Sequence, residues 1–349
     1  MLFVSLLSLS SCATGKGEVG LSYYLQAAGG QFAILNRARP ISEVLASHTT
    51  PPRIKKFLEE IPRIKKFGET YAIKPTNNYE SYVKWDHPSV SYVVTAIKPT
   101  KFEAKRWSLP IAGSFEYLGW FDPERAKKFA VELDEEGWDT EVRGAQAYST
   151  VGYFNDPVLS TMFWDGDEAM GGLVNTIIHE SMHATIYIKD QTSFDESLAS
   201  FIADRLTPIY LAERFGKDSV DAKSFKASQE NYDMLVKKYT EAYQKLDQVY
   251  QSQATEEEKL AKKAAIIGEL KSALKIERKF NNASIYQYKI YHRAGSEFEA
   301  FFEKMGKDLK RSVECLKRAE AKLFQSPQQQ NFGEVVMTLT KVCLGGENS

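Results

Sequence analysis

The sequence has almost no net charge, no long apolar run and little histidine. Its 45 Lys and Arg residues balance 46 Asp and Glu residues, which leaves a net charge of −1 at pH 7. This balance argues against nucleic acid or an anionic membrane surface as the main partner. Beyond residue 11, no stretch reaches the roughly 18 uninterrupted apolar residues of a membrane-spanning helix. Because only five histidines are present, any two of them at metal-ligand spacing are informative.

What the chain does contain is enough apolar and aromatic sequence for an ordered globular protein. Its 349 residues are 43% hydrophobic and include 18 Tyr and 20 Phe. A chain of this length can bury at least one sizeable core and has room for two subdomains around a cleft.

The first eleven residues, MLFVSLLSLSS, are typical of the apolar core of an export signal. A leucine and two serines then precede Cys12, as in a bacterial lipoprotein cleavage box. This pattern predicts a signal segment at 1–11 and a mature chain, 12–349, that is lipidated on Cys12 and anchored in the bacterial cell envelope. Ala13 after the cysteine favours the outer membrane, facing the periplasm. The alternative is a buried hydrophobic N-terminus.

Two further cysteines, Cys315 and Cys343, would then remain in an oxidising compartment. They form either one disulfide, which ties the C-terminal tail to the last long helix, or two buried free thiols. The sequence leaves both alternatives open.

Periodicity divides the chain into a mixed first part and a helical second part. Residues 70–161 combine predicted strands with a helix at 123–136, for which Asp122 is the N-cap and Pro123 the first residue. The predicted strands are 91–96, 140–143 and 147–154.

The second part begins with the helices of a metal motif, at 162–211. A helical hairpin at 212–280, with a break near 252–255, and a helical C-terminal part at 281–349 follow. The expected fold is α+β: a mixed sheet packed on the motif helix, a mainly helical C-terminal half, and a cleft between them.

The strongest chemical signal is His179-Glu180-Ser181-Met182-His183, inside a run at 170–188 with helical apolar spacing. Histidines four residues apart lie on one face of a helix, where both imidazoles can bind one metal ion. Glu180 can then contact a water on that ion without ligating it. The alternative is a helix whose two histidines have no metal to bind.

A third ligand candidate, Glu196, lies thirteen residues after His183 in a second helical run. Two histidines and one glutamate leave the fourth position of a tetrahedral Zn²⁺ ion open for water. Glu196 has a competing interpretation, because Ser193 and Glu196 fit a capping box at the start of that helix.

The sequence resembles a bacterial family described as putative zinc aminopeptidases, within the gluzincin group of metallopeptidases. Beyond the histidine motif, the likeness covers Tyr23–Gln31, Tyr117–Asp122, Ala147–Thr161 and Asn281–Ala283. It implies that His179, His183 and Glu196 are the ligands of one zinc ion, that Glu180 is the catalytic base, and that the substrate is a peptide or protein.

This chain departs from the family at several positions. Ser181-Met182 replaces Leu-Ala, and Asp195 replaces Asn. Gluzincins carry an Asp four residues after the glutamate ligand; here that position is Ser200, and either Asp204 or Asp190 could orient a histidine instead. The Gly-x-Met-Glu-Asn segment, with which aminopeptidases hold a substrate amine, is absent from the sequence.

The residue that stabilises the developing oxyanion is open among four tyrosines. Tyr187 follows His183 by four residues and should share the ligand face of the helix, and Tyr148 lies on the predicted strand before it. Tyr288 and Tyr291 are the C-terminal candidates. Two other functions remain open: a zinc-binding envelope scaffold without activity, and a zinc amidohydrolase that acts on cell-wall fragments.

Overall fold

The computed structural model describes residues 19–109, 113–147, 150, 154–286, 295–329 and 331–345. Cys12 and the tyrosines at 148, 288 and 291 lie outside these ranges. No helix in the described ranges is both long and apolar enough to cross a membrane.

The chain begins with three helices and one short strand: α1 (Leu21–Arg37), β1 (Arg39–Pro40), α2 (Ile41–Ala46) and α3 (Pro52–Thr70). Seven strands and one helix follow: β2 (Ser81–Val83), β3 (Ser91–Ile97), β4 (Trp107–Leu109), β5 (Gly113–Phe115), β6 (Tyr117–Trp120), α4 (Pro123–Glu135), β7 (Asp139–Ala145) and β8 (Val158–Leu159). The prediction for α4 is confirmed, because the Asp122 carboxylate accepts hydrogen bonds from the backbone N–H groups of Glu124 and Arg125.

The longer helices that follow are α5 (Ala169–Thr185), α6 (Thr192–Phe215), α7 (Val220–Gln251), α8 (Glu256–Leu274), α9 (Gly295–Lys304), α10 (Leu309–Leu316) and α11 (Gly333–Cys343). Helices α7 and α8 form the long hairpin, with its break at the predicted position. Thr255 and Glu258 form a capping box that starts α8. Cys315 and Cys343 form a disulfide that joins α10 to α11.

The strands form three small sheets where the sequence predicted one. Strand β3 lies between β6 and β7 in an antiparallel sheet, β2 pairs with β1 and, in parallel, with β8, and β4 pairs with β5. The α+β class is confirmed. The predicted mixed sheet on the motif helix is present only as β1-β2-β8, which packs with α5, because β3 pairs with β6 and β7 in a separate antiparallel sheet.

Two hydrophobic cores explain this division. Alternate residues of the β6-β3-β7 sheet, such as Val94 and Leu118, pack with Phe129 and Leu133 of α4. The β2 and β8 strands instead share the main core with α3, α5 and α6, in which Leu173, Ile177 and Leu198 are fully buried. The free face of the β6-β3-β7 sheet is therefore left to line a cleft.

A buried carboxylate joins α3 to α6. Glu60 is only 3% exposed and accepts hydrogen bonds from the Tyr210 hydroxyl at 2.5 Å, Arg214 Nε at 2.7 Å and an Arg63 guanidinium nitrogen at 3.0 Å. Burial by itself raises the pKa of Glu60, but these hydrogen bonds and the arginine charges outweigh it and hold the pKa below its ordinary value.

We expect Glu60→Gln to lower the free energy of unfolding by about 2 kcal/mol at pH 7, because charge-assisted hydrogen bonds are lost inside the protein. A lowered folded-state pKa stabilises the fold above the unfolded-state pKa of about 4.3 and loses that effect as the pH falls through the folded-state pKa. Urea unfolding at pH 7 and at pH 3.5 measures the free energy of unfolding, and the difference between Glu60→Gln and wild type should be smaller at pH 3.5. The exposed neighbour variant Glu59→Gln is the control, and an equal loss in both variants would contradict the assignment.

Candidate metal centre

Helix α5 carries the histidine motif between the main core and the cleft. Its buried face, which includes Leu173, Ile177 and Ile178, packs into the core. His179 and Glu180 occupy the adjoining face and line the cleft together with His183. The helix ends at Thr185, and Ile186 adopts an extended backbone.

The connection from α5 folds α6 back along α5. Asp190 takes a left-handed backbone, with φ of 63°, and the buried Asp195 carboxylate accepts hydrogen bonds from the Ile188 N–H at 3.2 Å. This turn directs the first residues of α6 toward the histidines. The capping-box interpretation of Glu196 is wrong, because the N-cap of α6 is Gln191 and its side chain makes no cap hydrogen bond.

Three ligand-type atoms converge between the two helices. The Nε2 atoms of His179 and His183 are 3.2 Å apart, and Glu196 Oε2 lies 3.3 Å from the first and 3.6 Å from the second. Ligand atoms bound tetrahedrally at zinc distances are about 3.3 Å from one another. The group could therefore hold a metal ion, and its two nitrogens and one oxygen fit zinc.

The charge of the site also suits a cation. Burial raises the pKa of Glu196, but the charges and hydrogen bonds of His183 and His179 outweigh burial and hold it well below its ordinary range. Glu196 therefore remains negative. Burial lowers the pKa of His183, but Glu196 outweighs it and raises that pKa to about 9, so that a metal ion competes with a proton for this nitrogen.

Ser200, one turn after Glu196 on α6, is the residue beside the second nitrogen of His179. Its hydroxyl oxygen lies 3.5 Å from His179 Nδ1, at the limit of a hydrogen bond. Among the described contacts, neither Asp190 nor Asp204 bonds to a histidine. Asp190 accepts from the Ser114 N–H at 2.6 Å, and Asp204 accepts from side-chain amides of α5 and α7.

Glu180 is placed to act on a water beside the ligands. It is half-buried and accepts no hydrogen bond from the described residues, so its carboxylate is available. Burial raises the pKa of Glu180, and the charges of His179 and His183 oppose that rise. A carboxylate with a raised pKa beside the ligands is a suitable proton acceptor.

A cleft of about 1300 Å³ contains this group. One wall is the free face of the β6-β3-β7 sheet, through residues such as Thr95 and Tyr117, and α1 adds Gln31. Helices α5, α6 and α7 form the opposite wall. The cleft extends on both sides of the metal group, so it has room for more than one residue of an extended substrate.

The sequence profile of the family described as "Putative aminopeptidase" matches residues 22–332. This match covers most of the 349 residues. The chain belongs to this aminopeptidase family. No curated protein and no solved structure matches it. The family's description indicates a peptidase activity for the chain.

The structure places other predicted site residues of this aminopeptidase-family chain differently from the predictions. Tyr187 lines the cleft and is 39% exposed, but its predicted place on the ligand face of the helix is wrong because α5 ends at Thr185. The strand predicted at 147–154 lies mostly outside the described residues; β7 ends at Ala145, and the three described residues of that segment, Ala147, Thr150 and Phe154, are not assigned to a strand. Tyr148, Tyr288, Tyr291 and Cys12 lie outside the described residues.

Sequence patterns did not indicate Tyr79, which interacts electrostatically with Glu180 in this aminopeptidase-family chain. Tyr79 has a left-handed backbone with φ of 65°, and its buried hydroxyl has no hydrogen-bond partner among the described residues. Burial raises the pKa of Tyr79 well above its ordinary value, with added contributions from the charges of Glu180 and Asp156. Asn175 was also missed, although it precedes His179 by one helical turn and its spacing could have identified it.

Proposed function

We propose that the protein is a zinc-dependent metallopeptidase of the gluzincin type, and that His179, His183 and Glu196 hold one Zn²⁺ ion. The convergence of the three ligand atoms at tetrahedral spacings beside a free Glu180 carboxylate carries this proposal. The family match supports a peptide substrate and an aminopeptidase activity.

When bound, zinc supplies Lewis-acid polarisation of the scissile carbonyl and lowers the pKa of a bound water. Glu180 accepts the proton of the attacking water and donates it to the leaving amine. Ser200 helps to keep the His179 ring in the orientation that points Nε2 toward Glu196. Tyr187, from the mouth of the cleft, is the described candidate for donating a hydrogen bond to the oxyanion.

The β7 strand offers a place for an extended substrate. Strand β7 lies at the edge of its sheet. Because Val90 N donates to Ala145 O, the backbone N–H and C=O groups of its odd-numbered residues point toward β3. The backbone groups of the even-numbered residues point away from β3, and on that side Thr140 O accepts a hydrogen bond from Asn281 Nδ2. Val142 and Gly144 therefore direct backbone N–H and C=O groups outward, where a peptide can pair with them.

The substrate class is tested with zinc-loaded wild type and Glu180→Gln protein on two panels, a peptide library and peptidoglycan fragments. Cleavage of peptides by the wild type alone supports the proposal. Cleavage of cell-wall amides alone would make the protein a zinc amidohydrolase. Absence of cleavage in both panels would favour a zinc-binding scaffold, with the α7–α8 hairpin as its docking element.

We also propose that Cys12 is lipidated and anchors the mature chain, 12–349, in the outer membrane, facing the periplasm. Helix α1 begins nine residues after Cys12. Its outer face supports this proposal, because Leu21, Leu25 and Phe32 are each more than 60% exposed on a helix without a charge before Arg37. Such a face is suited to lie against lipid.

Cys12→Ser should move the protein from the membrane fraction to the soluble fraction, because the thiol that carries the lipid is lost. Fractionation of expressing cells and mass spectrometry of the N-terminal peptide measure this. Thr14→Ser is the control that should remain in the membrane. If the Cys12→Ser protein stays in the membrane fraction, or if no lipid is found on Cys12, the anchor is wrong.

A further inference from the structure

Asp204 lies on the cleft wall, farther along the contact between α5 and α6 that also holds the metal group. The two helices run antiparallel, with His183 beside Glu196 at one level and His179 beside Ser200 at the next. The third level pairs Asn175 with Asp204. With a rise of about 1.5 Å per residue, Asn175 is about 6 Å from His179 along its helix axis.

Two side-chain amides orient this carboxylate and use only one of its oxygens. Asn175 Nδ2 and Gln229 Nε2 each donate to Asp204 Oδ1 at 2.9 Å. Asp204 Oδ2 accepts no hydrogen bond from the described part of the chain, and Asp204 lines the cleft. One oxygen is thus fixed by α5 and α7, and the other is available to a ligand in the cleft.

The neighbouring cation does not neutralise Asp204. Arg205 interacts electrostatically with Asp204, but its guanidinium forms an ion pair with Glu299 and stacks over the Phe201 ring at 3.6 Å. Arg205 is not part of the cleft wall. Asp204 therefore forms no ion pair with a described residue, and its carboxylate faces the cleft beside the metal group.

Apolar groups surround this end of the cleft. Trp164 packs so closely over Gly172 that a Cβ there would lie 1.8 Å from the indole. Phe225, one turn before Gln229 on α7, packs over Gly171 in the same way. These glycines bring two aromatic rings against α5, one turn before Asn175. An apolar substrate side chain fits beside them.

We propose that Asp204 binds the free α-ammonium group of the substrate's first residue, with Asn175 and Gln229 as its positioning residues. This inference rests on the proposed peptidase function and specifies its substrate as a peptide with an unblocked N-terminus and an apolar first side chain. In such a peptide the ammonium nitrogen is two bonds, or about 2.5 Å, from the scissile carbonyl carbon. Asp204 pairs with Asn175, one helical turn from the ligand His179, so we expect its free Oδ2 to come within reach of that ammonium group.

The test removes the substrate's ammonium charge and the Asp204 carboxylate charge separately. Leucine p-nitroanilide and 4-methylpentanoic acid p-nitroanilide differ only in the amine, and wild type and Asp204→Asn differ only in the carboxylate. We expect loss of the amine to lower wild-type kcat/KM by about 10- to 100-fold, as for a charge-assisted hydrogen bond. In Asp204→Asn, kcat/KM should fall by the same factor on the leucine substrate and should not change on the analogue without the amine. Glu230→Gln, an exposed acid next to Gln229, is the matched control.

A binding measurement keeps the test independent of catalysis and of the variant's folding. Calorimetry with the Glu180→Gln protein should show leucinamide binding at least tenfold tighter than 4-methylpentanamide, and Asp204→Asn in that background should remove the difference. If the wild type cleaves neither anilide and no peptide of the library, the proposed function fails, and this binding difference still decides the role of Asp204. Equal affinity for the two amides, or equal cleavage of the two anilides by the wild type, would overturn the inference.

Discussion

Replacing Glu180 by Gln should lower kcat on peptides by about a thousandfold, within the range of 10²- to 10⁴-fold that a positioned general base contributes. Glutamine has nearly the same shape as glutamate but cannot accept the proton of the attacking water. Glu180 accepts no hydrogen bond from the described residues, so the substitution leaves no other described group without its partner. The metal ligands are on other side chains and should be unaffected.

The measurement combines kcat and KM on the best peptide from the library with zinc content by mass spectrometry. We expect zinc stoichiometry and circular dichroism to match the wild type. The control is Glu213→Gln, the same change at an exposed position of α6. Activity within tenfold of wild type in Glu180→Gln, with full zinc content, would assign the proton transfer to another residue.

Removal of zinc should abolish activity and destabilise the protein. The three ligands come from α5 and α6, so a metal ion links the two helices that meet at the centre of the main core. An ion that binds only the folded state at a thousand times its dissociation constant adds about 4 kcal/mol to the free energy of unfolding. Chelation should therefore lower Tm by several degrees, and added zinc should restore both Tm and activity.

His183→Ala provides the corresponding variant. We expect it to purify with less than about one-tenth of the wild-type zinc, because only two of the three ligands remain, and its Tm should no longer respond to zinc. His48→Ala, a change at an exposed histidine after α2, should bind zinc as the wild type does. Full zinc content in the His183→Ala protein would exclude the proposed ligand set.

The position of Asp195 shows how one departure from the family pattern fits this site. A charged residue next to the ligand Glu196 can change the metal affinity or its pH dependence. Its side chain is buried at 3% exposure and accepts from the Ile188 N–H. The carboxylate thus holds the turn that brings α6 back to α5, and its charge also acts on His183.

Local sequence was sufficient to predict features that depend on neighbouring residues. The spacing of His179 and His183 places both on one face of a helix whatever surrounds it. Asp122 and Pro123 specify the start of α4, because caps satisfy the free N–H groups of their own helix. The sequence likewise predicts β3, whose residues favour strands.

Only the tertiary structure determined how these elements meet. The end of α5 at Thr185 removes Tyr187 from the ligand face, and the turn held by Asp195 decides that Glu196 meets the histidines instead of capping its helix. The pairing of Asp204 with Asn175 and Gln229 joins three helices. Such contacts depend on long-range packing, which helical or strand periodicity within one segment does not encode.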